Sequence, residues 1–500
     1  MNEKFSQLKS QLDRAYALEA ACTLFNWDQY NAPKGSIENT AKIIGTLSGE
    51  HYRALINDDV RRLLEELSTD EGLKDLSFHE RSILKLLNKQ FHKLSLIPPK
   101  EYEVFSALIA RAYPVWETAK NNNDYAAFAP VLDEIIAYAK KFAGYSQKPG
   151  QTLYDAALDD YEEGFTTQIL DHFFERLSTS LGPLVKAISQ KQDLIDTSFL
   201  HKTYPAATQK DFCHFIAQYI GFDFNRGMIS ESEHPFTTQI HNHDVRFTNH
   251  YYENSLDSAI FSAIHEGGHG LYEQGIDDDI TMTIAGSGTS MGMHESQSRF
   301  YENNLGRSRE FWTPIYDKLV DTYPSQLKNV SLEDFYRAIN ASRPSLIRTE
   351  ADELTYPFHI MIRYEIEKAI FEGTVTVKQL PDLWREKYKE YLGVVPDNDT
   401  EGILQDMHWS GGSFGYFPSY AIGSAIAAQI YHHLATVMPL KTYLTEGRLA
   451  PIREYLKEHI HRFGKCKNTQ EILKDMTGEP FNPDYYIQYL TQKYTELYNL

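Results

Sequence analysis

A mainly α-helical protein with one small β-sheet is what this sequence predicts, and three observations carry the prediction. Apolar residues recur at three- and four-residue spacing through long stretches such as 131–145 and 360–372, the period of an amphipathic helix. Strand-like clustering of β-branched and aromatic residues is confined to a short region near residues 234–252. Of the 500 residues, 42% are hydrophobic, with 33 Tyr and 27 Phe, enough apolar bulk to fill a large core.

In that strand region, Phe236 to Ile240 and Arg246 to Tyr252 flank the turn-forming Asn242 and Asp244, which predicts a small antiparallel sheet or hairpin. No Gly/Ser linker, low-complexity segment or fixed-period repeat divides the chain, so residues 1–500 are expected to form one domain. Glycines gather between Gly267 and Gly292 and between Gly402 and Gly423, where backbone must turn sharply or approach a neighbour.

A formal charge of −20 with no basic run argues against nucleic acid as a partner. Cys22, Cys213 and Cys466 are odd in number and far apart, which predicts neither a disulfide framework nor a cysteine metal site. The N-terminal residues lack the uninterrupted apolar core of a signal peptide. The most apolar stretch, 421–430, is too short to span a bilayer. The expected location is the cytoplasm, with no membrane partner.

The chemistry-bearing motif is His265-Glu266-Gly267-Gly268-His269 within a helical pattern. Residues four apart share a helix face, so His265 and His269 can aim two imidazoles at one ion. Glu266 stands beside that point, placed to deprotonate a water. Gly267, Gly268 and Gly270 each disfavour a helix interior by about 1 kcal/mol relative to Ala; close approach of another element or of substrate would account for them. A hydrolytic zinc needs a third protein ligand and one open position. Glu295 and His294, on a second amphipathic helix after the glycine-rich turn 286–290, are the candidates. The metal would activate a water and polarise the scissile carbonyl, with Glu266 as general base.

Several further segments occur together with this motif: His234-Pro235-Phe236, Asp244-Val245-Arg246-Phe247-Thr248, His294-Glu295-Ser296-Gln297, Ile347-Arg348-Thr349-Glu350-Ala351-Asp352, Gly402-Ile403-Leu404-Gln405-Asp406-Met407-His408-Trp409 and Gly415-Tyr416-Phe417-Pro418-Ser419-Tyr420. In this order they resemble the carboxypeptidase Taq family of metallocarboxypeptidases, and the likeness runs across most of the chain. The resemblance implies a large helical zinc-peptidase fold with a deep groove between two halves, release of single residues from peptides with a free C-terminus, and a homodimer. It favours Glu295 over His294, because a His/His/Glu ligand order is the common plan of helical zinc peptidases. One zinc per chain is the expected cofactor, and cobalt is also compatible with such a site.

Removal of C-terminal residues requires a carboxylate receptor. Arg348 offers a planar, permanently charged fork, and an ion pair with Glu350 or Asp352 is its bland alternative. Tyr420 and His408 are candidate donors to the oxyanion, with Tyr416 and Arg246 as candidate substrate contacts. Gln405 and Asp406 are expected to orient a metal ligand. The turn 286–292 is taken as part of the active site, since its glycines miss the dinucleotide spacing. His241-Asn242-His243 and Asp277-Asp278-Asp279 read as solvated turns. An oligopeptidase cutting internal bonds and a noncatalytic zinc-containing peptide-binding protein are the competing functions.

Overall fold

The computed structural model describes residues 3–28 and 32–500. Helices dominate it, among them Glu3–Asp28, Pro99–Asn122, Tyr125–Ser146, Thr167–Ser189, Leu256–Gly275, Tyr356–Glu372 and Pro418–Val437. The periodic stretches 131–145 and 360–372 fall within Tyr125–Ser146 and Tyr356–Glu372. Local chemistry sets many ends. The Ser77 hydroxyl accepts from the Glu80 N–H while the Glu80 carboxylate accepts from the Ser77 N–H, and Asn468 with Glu471 repeats the arrangement. Each pair satisfies two otherwise orphaned groups at a helix start. Among the described residues, no helix is long and apolar enough to cross a membrane.

The sheet departs from the expected antiparallel pair. Three strands, β1 (Gly227–Glu231), β2 (Thr237–His241) and β3 (Asp244–Asn249), lie in the order β1-β3-β2. β2 pairs antiparallel with β3, whereas β1 pairs parallel with it, Gly227 opposite Val245 and Glu231 opposite Asn249. β1 escapes a reading by residue type because Ile229 is its only β-branched residue. It can lie so close because Gly227 lacks a side chain: a Cβ there would sit 2.1 Å from the Val245 carbonyl oxygen. β3 also stops before the expected Tyr252. Asn249 ends it, donating its side-chain N–H to the Ala259 carbonyl and accepting from the His250 N–H.

Asn242, expected to be solvated, is fully buried and donates to the Ile276 carbonyl and the Asp278 carboxylate. The turn between β2 and β3 is thereby tied to the loop that follows helix Leu256–Gly275. His243 does remain exposed and sits 2.8 Å from Asp278.

Most of the apolar interior is one continuous cluster reaching from Leu108 to Tyr498. A second cluster joins N-terminal residues such as Leu8, Leu12 and Leu64 to Ile276, Ile280 and Ala285. The segment 276–290 connects helices Leu256–Gly275 and Met291–Arg299, so the N-terminal helices support the link between them. Tyr16 adds a polar tie, its hydroxyl accepting the Ile284 N–H at 2.9 Å.

Three glycines let neighbours press onto helix Leu256–Gly275. A Cβ on Gly267 would meet Ile220 at 2.6 Å, one on Gly270 would meet Phe222 at 2.7 Å, and one on Gly268 would meet the backbone of Gln297 and Ser298 at 2.8 Å. Another element of the fold therefore accounts for them. On its other side, helix Met291–Arg299 is approached by helix Pro418–Val437, where a Cβ on Gly423 would lie 2.6 Å from the Glu295 Cβ. Glycine backbone on both flanks fixes where Glu295 stands.

Candidate active site

His265 and His269, one turn apart, direct their Nε2 atoms at the same carboxylate oxygen. Glu295 Oε2 lies 3.7 Å from His265 Nε2 and 3.5 Å from His269 Nε2, and the three donor atoms all fall within 4.8 Å of one another. Ligands about 2.0–2.2 Å from a tetrahedral ion stand roughly 3.3–3.6 Å apart. The spacing and the donor set, two imidazoles and a carboxylate, fit a divalent metal.

Each of the three residues is held from behind. Glu302 Oε2 accepts from His265 Nδ1 at 2.8 Å, which leaves the Nε2 lone pair facing the cluster. Glu302 is carried by a π-helical stretch, Phe300–Gly306, that continues directly from the Glu295 helix; such widened turns are rare and frequent at functional sites. Arg299 Nε donates to Glu295 Oε1 at 2.6 Å and its Nη1 to Glu302 at 3.1 Å, with Arg307 reaching the other Glu302 oxygen at 3.3 Å. Burial alone would raise the Glu295 carboxyl, but Arg299, His265 and His269 outweigh it and hold it well below the usual range. Burial likewise opposes the ionised Glu302, and Arg299 and His265 lower it to about 2. Burial disfavours a charged His265, yet Glu295 and Glu302 reverse that and raise its proton affinity. His269, facing the same carboxylate, is instead pushed down to about 3, by burial first and then by the neighbouring His294 and His265.

His294 is not in the cluster. Its Nδ1 lies 2.6 Å from His269 Nδ1 and its Nε2 lies 2.6 Å from Glu273 Oε1, so both ring nitrogens face protein groups. Glu266, beside His265, is buried, and its Oε2 accepts from the Thr237 hydroxyl at 2.6 Å. Thr237 opens β2, which is how the small sheet reaches the site. Burial raises the Glu266 carboxyl above its ordinary value, opposed by His265 and Thr237.

Arg348, His408, Tyr416 and Tyr420 form a second group. The Arg348 guanidinium lies over the Tyr420 ring at 4.9 Å. His408 Nε2 is 3.2 Å from the Tyr420 hydroxyl, and the Tyr416 and Tyr420 rings meet edge to face at 5.3 Å. Tyr356 connects this group to the first: its hydroxyl accepts from Arg348 Nη1 at 3.1 Å while Arg299 stacks on its ring at 4.6 Å.

Arg348 pairs with neither Glu350 nor Asp352. Asp352 accepts instead from Ser342, Thr355 and the Arg343 N–H. The partner of Arg348 is Asp406, which accepts from Nε at 3.0 Å and Nη2 at 2.8 Å and also binds the fully buried Arg363. Gln405 Oε1 accepts from the Arg348 N–H and from Arg363. Gln405 and Asp406 thus orient the arginine pair and not a metal ligand, a correction with a simple cause: the Nδ1 atoms of His265 and His269 are met by Glu302 and His294 instead. Arg246 stands apart from both groups, with Nε and Nη2 on Asp244 at 2.7 Å each and its guanidinium 5.8 Å from the Trp27 ring.

A family model described as Carboxypeptidase Taq (M32) metallopeptidase matches residues 7–494. The chain belongs to the M32 carboxypeptidases. Carboxypeptidase 1 of Bacillus subtilis is 44% identical over 494 residues, covering 98% of this chain and 97% of that protein. Thermostable carboxypeptidase 1 of Pyrococcus furiosus is 36% identical over 500 residues, 99% of each. The crystal structure of the M32 carboxypeptidase from Deinococcus radiodurans R1 matches with a TM-score of 0.96 at 32% identity over 100% of both chains. This M32 carboxypeptidase is accordingly a metal-dependent hydrolase of peptide bonds with the helical fold of its relatives.

Some parts of the M32 carboxypeptidase site have no signature in a sequence. Glu302 follows Glu295 by seven residues, a same-face spacing on a helix, but only the packing of two helices brings it to His265. Tyr356 and Thr237 sit on elements whose position depends on the whole fold. A partial signal for Thr237 was its place just after His234-Pro235-Phe236.

Proposed function

We propose that this M32 carboxypeptidase is a zinc enzyme that releases single amino acids from free peptide C-termini, with His265, His269 and Glu295 as ligands and Glu266 as general base. The observation that carries the reading is the convergence of three donor atoms within 4.8 Å of one another, with Glu295 Oε2 3.7 and 3.5 Å from the two imidazole Nε2 atoms, beside the buried carboxylate of Glu266. A zinc ion at that point supplies Lewis acidity to the scissile carbonyl and makes a water more acidic; cobalt would serve the same chemistry.

Glu266 takes the proton of that water and passes it to the leaving amine. Its burial and the resulting rise in proton affinity suit a base that must also act as an acid, and the Thr237 hydroxyl holds one carboxylate oxygen so that the other is free for the proton.

Arg348 receives the substrate's C-terminal carboxylate. Asp406 and Tyr356 engage three of its N–H groups, and a guanidinium has five, so two remain for an incoming anion. Burial lowers the His408 imidazole to about 4, so it is neutral near pH 7. With its proton on Nε2, His408 donates to the Tyr420 oxygen, and the Tyr420 hydroxyl hydrogen, which has Tyr416 as its partner without substrate, turns to the oxyanion. Tyr416, packed against Tyr420, lines the same space. Arg246 contacts the peptide through Nη1, which Asp244 leaves unused. The family supports a homodimer, and three free cysteines with a charge of −20 support a cytoplasmic enzyme.

The test is a peptide offered with a free and with an amidated C-terminus, followed by mass spectrometry, together with metal analysis. Stepwise shortening of the free peptide alone is expected. Equal cleavage of the amidated peptide would favour the endopeptidase alternative, and zinc-loaded protein inert toward both would leave a noncatalytic binding protein.

A further inference from the structure

The two imidazoles of the metal site are oriented by different means. His265 Nδ1 meets the Glu302 carboxylate directly at 2.8 Å. His269 Nδ1 meets another imidazole, His294 Nδ1, at 2.6 Å. Two Nδ1 atoms at that distance must share one proton, because two N–H groups would repel each other and two lone pairs would do the same.

The assignment then has one solution if His269 is to present a lone pair at Nε2. His269 carries its proton on Nδ1 and donates it to the lone pair of His294 Nδ1. His294 carries its own proton on Nε2, and an acceptor is needed there; Glu273 Oε1 lies 2.6 Å away. Each donor in the series meets an acceptor, and the series ends on a buried carboxylate.

The glycine-rich turn is built around this series. The Gly288 N–H donates to the same Glu273 oxygen at 3.1 Å, and the Thr289 N–H donates to the Tyr272 hydroxyl at 3.1 Å. The Tyr272 ring packs on His294 with centroids 5.1 Å apart. A Cβ on Gly288 would fall 2.5 Å from His294 Cδ2, so the backbone of the turn closes against the imidazole and only glycine fits.

We propose that His294 is a positioning residue of the metal site: it fixes His269 in the tautomer that leaves Nε2 free for the ion, and Glu273 fixes His294 in turn. The inference rests on the assignment of His269 as a ligand. It gives the turn 286–292 a function, that of holding the far end of the series.

The experiment is a zinc titration of the full-length, metal-stripped protein in competition with a chromophoric chelator, repeated for H294L, H294Q and H294N. Asparagine places its Oδ1 near the position of the imidazole Nδ1 and can accept from His269; glutamine reaches toward Glu273 and cannot. H294L and H294Q are expected to bind zinc about 10–100-fold more weakly, the usual effect of losing a group that orients a ligand. H294N is expected to recover most of the affinity. The visible absorption of the cobalt-loaded protein should change in H294L and return in H294N, which a merely structural loss would not produce. H294L binding zinc as tightly as wild type, or all three variants weakened alike, would overturn the role of His294. A wild-type protein that takes up no zinc would instead overturn the metal site itself.

Discussion

At the scale of single residues, what distinguishes a metal site from two histidines on a helix is the use made of each Nδ1. Glu302 and His294 occupy those positions and leave both Nε2 atoms turned to Glu295. E266Q keeps the shape of the side chain and removes its basicity, so turnover should fall by about 10²–10⁴-fold while metal analysis reads the same occupancy as wild type. R348M should raise KM for peptides with a free C-terminus and narrow the rate difference between free and amidated peptides; an unchanged ratio would remove Arg348 from substrate recognition. E302Q should weaken zinc binding by about 10-fold or more, read by chelator competition. The spacing of His265, Glu266 and His269 was legible without any structure, because helix geometry fixes which residues share a face. Glu295 was legible only through family likeness, since the choice between it and His294 depends on how two helices meet. Asp406 was misread as a carboxylate that orients a metal ligand: a sequence does not say which cation a carboxylate will face, and in the fold it faces Arg348 and Arg363.

At the scale of elements, helix Met291–Arg299 is located by glycines on two neighbouring helices, Gly268 and Gly423. G268A trades a gain of about 1 kcal/mol in helix propensity against an overlap with backbone atoms at 2.8 Å, which cannot move aside as the end of a side chain can. The overlap should win, lowering stability by roughly 1–3 kcal/mol in chemical denaturation and also weakening metal binding as Glu295 shifts. The helices were readable from apolar period, and the glycine-dense regions correctly marked close packing. The parallel strand β1 was not readable, because Gly227 matters for what it lacks and its partner Val245 lies far along the chain. The buried Asn242 was missed for a related reason: turn residues are polar whether they face water or a carbonyl.

At the scale of the whole molecule, metal and acidity act on the same balance. A divalent metal held by the folded chain alone adds about 2.7 kcal/mol to stability at a free concentration of 100 times its Kd, so chelation should lower the melting temperature accordingly. Glu302 titrates from 4.5 in the unfolded chain to about 2 in the fold. Its contribution is therefore complete above pH 4.5 and is lost as the pH falls toward 2. Thermal melts of the metal-free protein across that window should show the loss, and E302Q should show a shallower decline. The N-terminal helices bear on the same balance from a distance, because they share their apolar cluster with Ile276, Ile280 and Ala285. Those residues belong to the tether between the helices that carry His265, His269 and Glu295, so a chain shortened by its first helix bares the underside of that tether and slackens it. Such a truncation is expected to release its ion faster, with every ligand intact and no atom near the ion altered.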